Sequence, residues 1–379
     1  MTGRERILCV LAGGIPDRVP ITLFVQQEYL SYHYKRNDTD RVIDAVRLAA
    51  ELGFDVMTRQ TAHLTPHYLR KSHANWELSK REEIKDGNIR RHLSVTTPGG
   101  VLSQTESAPY DPATVAGIHF ITTKFMINSP DDFELFRKYM PPIDKDYVEN
   151  MKRDALEANK IIGDMGICCP WGTGGVFNAA TILRELSQLC MDPYEDENFY
   201  HEFMGFLASI LEKDYELLAQ TALDCIGIQG NMASGGLVGG DYFRKNIQPY
   251  EKRLTDAVKS RGKYTLYHNC GFARPLYENY RELGMTVWET VSPPPQGDND
   301  IAQVKKLLGN DLVLSGNLDQ IHFLKKASVD EIRTAVEKLI DVCKPGGKYL
   351  FATSDYLEPH TPLENIKAMI DTAISCGKY

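Results

Sequence analysis

The stretch Tyr264-Thr-Leu-Tyr-His268-Asn-Cys270-Gly271 is a short, apolar, β-prone run that stops at a histidine, a cysteine two residues on, and a glycine. Alternate residues of a strand share a face, so His268 and Cys270 can point into one pocket. Imidazole and thiolate together make a soft, zinc-favouring pair. In α/β barrels the chemistry collects at the ends of the strands, which is where this pair falls. A buried core histidine and cysteine produce the same spacing, so the pair alone leaves metal binding and plain packing both open.

Working outward, strand-like runs and helical patterns alternate along most of the 379 residues. Before the quoted run come Ile21–Phe24, Phe54–Met57, Ile161–Cys168 and Asp224–Gln229; after it come Thr286–Glu289, Leu312–Gly316 and Tyr349–Thr353. Thr39–Leu52 has helical spacing and stops at Gly53, and Ala180–Leu189, Tyr194–Ala219, Ile301–Leu308, Val329–Val342 and Pro362–Ser375 also read as helices. Eight strands followed by helices predict an α/β chain folded as a (β/α)8 TIM barrel. A doubly wound sheet is the alternative, but no Gly-x-Gly-x-x-Gly opens a helix after a strand. The segment Trp76–Thr105 differs, with alternating charged and β-prone residues around the turn signals Lys85-Asp-Gly87 and Pro98-Gly-Gly100. It predicts an antiparallel hairpin inserted at about residues 74–106 of one domain spanning 1–379, since no repeat or linker divides the chain.

Bulk properties narrow the function. A net charge of −8 without a basic run argues against a general nucleic-acid binder. No apolar stretch approaches the roughly 18–20 residues that span a bilayer, and the charged start Met-Thr-Gly-Arg-Glu-Arg has no signal core, so no membrane association and a cytoplasmic location are expected. The eight cysteines, at 9, 168, 169, 190, 225, 270, 343 and 376, are scattered like reduced core residues rather than spaced as a disulfide framework.

In a barrel the polar residues just after each strand converge on one rim. In chain order these are Gln26 and Gln27; Arg59, Gln60 and His63; Trp171 and Asn178; Gln229 and Asn231; then His268 and Cys270. Glu289 follows, then Asn317 and Asp319, then Asp355, Glu358 and His360. Loop residues are commonly polar, so rim position alone does not assign a role. A third ligand beside His268 and Cys270 has to come from another strand; Asp355 and Glu358 lead, with Glu289 next. Three ligands and an open fourth position would make a catalytic zinc site. Asp355 is equally placed for an Asx-turn or a helix cap, and Asp298 or Asp300 for capping the helix that starts near Ile301.

Several of these residues also fall into a known order. Arg18-Val-Pro20, Cys169-Pro-Trp171, His268-x-Cys270-Gly271, Leu314-Ser-Gly-Asn317-Leu-Asp319 and Thr361-Pro-Leu-Glu-Asn365 together resemble the uroporphyrinogen decarboxylase superfamily over nearly the whole chain. The resemblance implies a (β/α)8 barrel with its site at the C-terminal rim. The decarboxylases of that superfamily grip tetrapyrrole propionates with an Arg-Gln-Ala-Gly-Arg-Tyr segment; this chain has Phe24-Val-Gln-Gln-Glu-Tyr-Leu30, without arginine, and Asp355 where they have a histidine. The other branch, the corrinoid-dependent methyltransferases, holds zinc on His-x-Cys plus a cysteine near the eighth strand. Here His268 and Cys270 are kept and Asp355 stands at the later position.

That departure is closer to O-demethylase methyltransferases, which move a methyl group from a phenyl methyl ether to a separate corrinoid protein. The implied cofactors are zinc and a corrinoid (cobalamin) carried by a partner protein, and the implied partners are that corrinoid protein and a small methylated substrate. Glu289, Asp355 and Glu358 are the expected catalytic carboxylates; His268, Cys270 and Asp355 the metal ligands; and Phe24, Gln26, His63, Trp171, Asn178, Asn231 and Tyr267 the substrate contacts. Among rim aromatics, Phe24, Tyr29, Trp171, Phe177 and Tyr267 are suited to hold an aryl ring or simply to pack the core. Decarboxylation, methyl transfer from a methylcorrinoid to a thiol, and a non-catalytic binding barrel are the alternatives, and a homodimer is compatible with all of them. The chain lacks the Asp-x-His-x-x-Gly signature of corrinoid-binding modules, which is the reason for expecting the corrinoid on another protein.

Overall fold

The structure, a computed structural model, describes residues 1–59, 65–110 and 120–379. Strands Val56–Thr58 (β1) and Gly166–Cys168 (β6) form a parallel pair. Cys225–Gln229 (β7), Tyr264–His268 (β8), Val287–Glu289 (β9), Val313–Leu318 (β10) and Tyr349–Thr353 (β11) form a five-stranded parallel sheet in chain order. Between the two in sequence lie Glu77–Lys85 (β2), Asn88–Thr97 (β3), Gly100–Pro109 (β4) and Ile121–Lys124 (β5), an antiparallel sheet.

Three sets of backbone bonds connect the parallel pieces. Ile21 bridges Phe351 of β11 in parallel, with the Thr22 N–H donating to the Phe351 carbonyl at 2.8 Å. On its other side the Asp55 N–H donates to the Ile21 carbonyl at 2.8 Å, beside β1. Trp171, just past β6, bridges Gly227 of β7, where a side chain could not be accommodated: a Cβ on Gly227 would lie 2.6 Å from the Trp171 ring.

Strand alternation sorts the side chains into two layers. Met57, Ile167, Cys225, Leu266, Val287, Val313 and Leu350 share one inner cluster with Phe24, Cys169 and Trp171. Residues of the opposite parity, among them Ile226, Tyr267, Trp288, Leu314 and Phe351, pack into a larger cluster shared with the helices. The helix Glu197–Ala219 supplies Tyr200, Phe203, Leu207 and Tyr215 to that outer layer, and Leu363–Cys376 supplies Ile366, Met369 and Ile370.

Four expectations change. Ile21–Phe24 makes one bridge rather than a strand, because Pro20 has no N–H to give and the Phe24 carbonyl accepts from Leu357 instead. The strand expected from Ile161 begins only at Gly166. Ile162 instead closes the buried stripe Tyr147, Met151, Ala155, Ala158 of the helix Lys145–Ile162, a helical and not a strand period. The helix expected over Ala180–Leu189 is two, Val176–Leu183 and Leu186–Glu195, because Arg184 turns extended between them and pairs with buried Asp192 at 2.5 Å. The inserted hairpin is larger than expected, a four-stranded sheet reaching Lys124. Its entry is pinned by Trp76, fully buried, whose indole N–H donates to the Tyr68 carbonyl at 2.8 Å.

Candidate metal centre

His268 ends β8 and sits in register with Gln229 of β7 and Glu289 of β9. Paired residues of parallel strands face the same side, so Glu289 points inward beside the imidazole. Its Oε2 lies 3.1 Å from His268 Nδ1. The other side of Glu289 meets Arg59, the residue after β1, whose Nε is 3.1 Å from Oε1 and whose Nη2 also donates to that oxygen. The Arg59 guanidinium is anchored in turn on the Met57 carbonyl at 2.7 Å. Arg59, Glu289 and His268 thus form a buried chain, exposed by only 2%, 2% and 6%.

Beyond the imidazole lie Cys270, two residues on, and Asp355, two residues past β11. The ligand atoms of His268, Cys270 and Asp355 all lie within 4.8 Å of one another, a grouping found among the described residues. Asp355 accepts the Tyr356 N–H at 2.8 Å, and its main-chain carbonyl accepts the Thr353 hydroxyl, so the local turn fixes it.

The electrostatics follow from burial and charge. Burial works to raise the Glu289 pKa, but the Arg59 charge and the His268 contact prevail and hold it down to about 2. Burial also opposes the His268 imidazolium, yet hydrogen bonds to Cys270 and Glu289 and the charge of Asp355 prevail and raise its pKa well above the ordinary value. Burial raises the Asp355 carboxyl, against the pull of the His268 charge.

An aromatic wall stands beside this group. Trp171 and His268 meet edge to face with ring centroids 5.1 Å apart, and Phe24 lies 6.0 Å from Trp171, 6.3 Å from His268 and 6.1 Å from Tyr356. Of the expected substrate contacts, Phe24 and Trp171 are therefore beside His268 of the candidate grouping. Gln26 is half-buried and opens the helix Gln27–Tyr34. Asn178 and Asn231 engage each other, Nδ2 to Oδ1 at 2.6 Å, and Asn178 also accepts the Met232 N–H at 3.0 Å. His63 lies outside the described residues.

Tyr267 is not brought to the group: adjacent to His268 on β8, it takes the opposite face and packs on Tyr280 at 5.8 Å. Tyr29 and Phe177 are likewise outer-layer core. Glu358 is half-buried and outside the metal-ligand grouping; its carbonyl accepts from the Thr361 hydroxyl. Asp300 caps the helix Ile301–Leu308, whereas Asp298 accepts the Ala273 N–H at 2.8 Å. One participant and one pairing escaped the sequence reading. Tyr356 follows Asp355 directly, so its aromatic character beside a candidate ligand was the available signal. Arg59 was placed on the rim, but its partner Glu289 lies 230 residues away, and no local pattern joins them.

The uroporphyrinogen decarboxylase (URO-D) family model matches residues 137–375. The chain belongs to that family. Relatives include the methylcobamide:CoM methyltransferase MtbA of Methanosarcina mazei, 22% identical over 48% of this chain and 50% of that protein. A second is the methylcobamide:CoM methyltransferase MtaA of Methanosarcina barkeri, 29% identical over 40% of this chain and 42% of that protein. The similarity therefore runs to the corrinoid methyltransferase branch of the family, although the chain spans about half the length of these curated relatives. A solved methyltransferase from Methanosarcina mazei shares the fold, with a TM-score of 0.66 at 18% identity over 99% of both chains. The grouping of His268, Cys270 and Asp355 lies just past the C-terminal ends of β8 and β11, beside Phe24 and Trp171. No helix among the described residues is long and apolar enough to cross a membrane.

Proposed function

We propose that this URO-D family chain is a methyltransferase that moves a methyl group from a small methylated substrate, a phenyl methyl ether, to the cobalt of a corrinoid on a separate protein. The observation that carries the reading is the grouping of His268, Cys270 and Asp355 with Glu289 behind the imidazole. One nitrogen, one sulfur and one oxygen donor suit zinc and leave a fourth position open. The Glu289 contact also fits, since a carboxylate behind a ligating histidine sets its tautomer and basicity. Held there, zinc would supply a Lewis acid for the oxygen that the methyl group leaves.

The chain's own residues do the rest of the work. Glu289 accepts the Nδ1 proton of His268 and leaves Nε2 as the ligating nitrogen, while Arg59 keeps Glu289 ionised and fixed. The edges and faces of Phe24, Trp171 and Tyr356 offer an aromatic ring a flat seat beside the ligands. The parallel segments, taken from Ile21 through β1, β6 and β7–β11 and back to Ile21, support one closed (β/α)8 barrel with a single rim on which all of these groups meet.

The names of the relatives favour a second reading, in which a methylcorrinoid gives its methyl group to a thiol. Tetrapyrrole decarboxylation is less well supported: Arg59 is buried against Glu289 and has no charge left for a propionate.

Metal analysis combined with an assay using a Co(I) corrinoid protein and a panel of methoxyarenes tests the proposal. Roughly one zinc per chain is expected. His268→Ala should lose zinc and methyl transfer together, and Asp355→Ala should slow transfer more than it lowers stability. Full activity in metal-free protein would sink the metal-centred reading, and turnover only with a thiol acceptor would select the second.

A further inference from the structure

Four residues stand in register across the parallel sheet at the level of the imidazole: Gln229 on β7, His268 on β8, Glu289 on β9 and Ser315 on β10. Strand parity puts Gln229 on the inner face, since Ile226 and Ile228 of β7 pack into the outer cluster and Cys225 into the inner one. The other three are committed. His268 belongs to the candidate ligand grouping, and Glu289 is held between Arg59 and His268. Ser315 is fully buried with its hydroxyl oxygen sealed from solvent. Gln229 is half-buried; its carboxamide has no partner among the described residues, and neither of its polar atoms is sealed.

The backbone that carries this side chain is fixed. The Gln229 carbonyl accepts the Gly175 N–H at 2.8 Å, and the following N–H, of Gly230, donates to the His268 carbonyl at 2.8 Å. Two residues earlier on the same face is Gly227, where the Trp171 ring fills the space of a side chain. Gln229 therefore stands one step nearer the rim than that ring and next to His268, whose imidazole meets the ring with centroids 5.1 Å apart. Paired strands lie about 4.8 Å apart, so the carboxamide opens onto the space in front of both rings. Asn178 and Asn231, the amides expected to meet a substrate, are spent on each other and on the Met232 N–H.

We propose that Gln229 determines substrate specificity at this site, binding an uncharged hydroxyl or carbonyl substituent on the aromatic ring seated beside Trp171 and His268. The inference rests on the reading of this rim as the seat of the methyl donor. A carboxamide offers two donors and an acceptor without net charge, so it serves either group and gives a carboxylate no ionic partner. Arg59, the guanidinium at this level, is already paired with Glu289.

Calorimetry on the zinc-supplied protein tests it, with the isomers of methoxyphenol and methoxyacetophenone each compared with the methylanisole of the same ring position. At least one polar isomer should bind about three- to tenfold more tightly than its methyl counterpart. Gln229→Met, similar in length and without the amide, should bring that ratio close to one and leave the zinc content as in the wild type. No preference in the wild type, or a preference unchanged in Gln229→Met, would overturn the proposal. Gln229→Ala, which only removes atoms, gives the same reading where Gln229→Met fails to fold. Methyl transfer to a Co(I) corrinoid protein is assayed in parallel. A Gln229-dependent preference without transfer would support the role of Gln229 and count against the methyl-transfer reading. Transfer without such a preference would overturn the role of Gln229 alone.

Discussion

At the scale of single residues, Glu289 holds the candidate site in shape without belonging to the ligand grouping itself. It sits between a guanidinium and an imidazole, nearly sealed from water, and each contact depends on its negative charge. Glu289→Gln keeps the shape and removes the charge. Arg59 is then buried without a counter-ion, a change that typically costs about 3–5 kcal/mol. The substitution should also lower zinc affinity by roughly 10–100-fold, since the imidazole loses its orienting carboxylate. Urea unfolding and competition with a zinc chelator measure the two effects separately. Normal metal affinity in a destabilised variant would make the Arg59–Glu289 pair purely structural.

At the scale of elements, the packing of helices depends on a second buried carboxylate. Glu251, on the helix Gln248–Lys259, reaches the N-terminus of Val176–Leu183 and accepts the Phe177 N–H at 3.1 Å. A carboxylate at a helix N-terminus is favourable for the dipole. Burial nevertheless dominates and raises the Glu251 pKa to about 7, with the backbone N–H groups of Phe177 and Val176 only partly offsetting it. Because this acid binds its proton more tightly folded than unfolded, it costs nothing below about pH 4.5 and destabilises increasingly as pH rises towards 7. The integrated effect is about 3 kcal/mol. Glu251→Gln keeps the acceptor and should flatten the fall in unfolding free energy between pH 4.5 and 7. Parallel curves for the two proteins over that range would contradict the assignment.

At the scale of the whole molecule, the proposed methyl transfer requires a corrinoid-bearing partner to reach the rim where His268, Cys270 and Asp355 group. The loop Pro293–Gln296 stands there, with Pro294 and Pro295 exposed. Gln296, in contrast, is part of the frame: its amide donates to Asp319 at 2.6 Å and its carbonyl accepts the Ser354 hydroxyl at 3.0 Å. Replacing Gln296 would loosen the loop, whereas Pro294→Arg alters only the exposed surface. Pro294→Arg is expected to raise the apparent KM for the corrinoid protein several-fold while leaving the KM for the methyl donor nearly unchanged, as a weak, transient interface would. Steady-state kinetics over a range of corrinoid-protein concentrations check this. A shift in the methyl-donor KM instead would assign the loop to the small-molecule pocket.

The parts of this protein legible in its sequence are those set by short-range periodicity. Tyr264–His268, Tyr349–Thr353 and Ile301–Leu308 occur with the bounds their patterns predict, because strand alternation and helical spacing are local. The pairing of His268 with Cys270 was legible for the same reason, and so, in principle, was the exclusion of Tyr267, since adjacent strand residues face opposite ways. Asp355 could be suggested as the third ligand but not located, because a rim position does not say which way a loop turns. The start of the run Ile161–Cys168 was ambiguous, since two adjacent isoleucines satisfy a strand and a helix alike. What joins Arg59 to Glu289, or sets Gln229 beside His268, is the meeting of strands that are remote in the chain. Such meetings depend on register and packing between elements, and only the tertiary structure decides them.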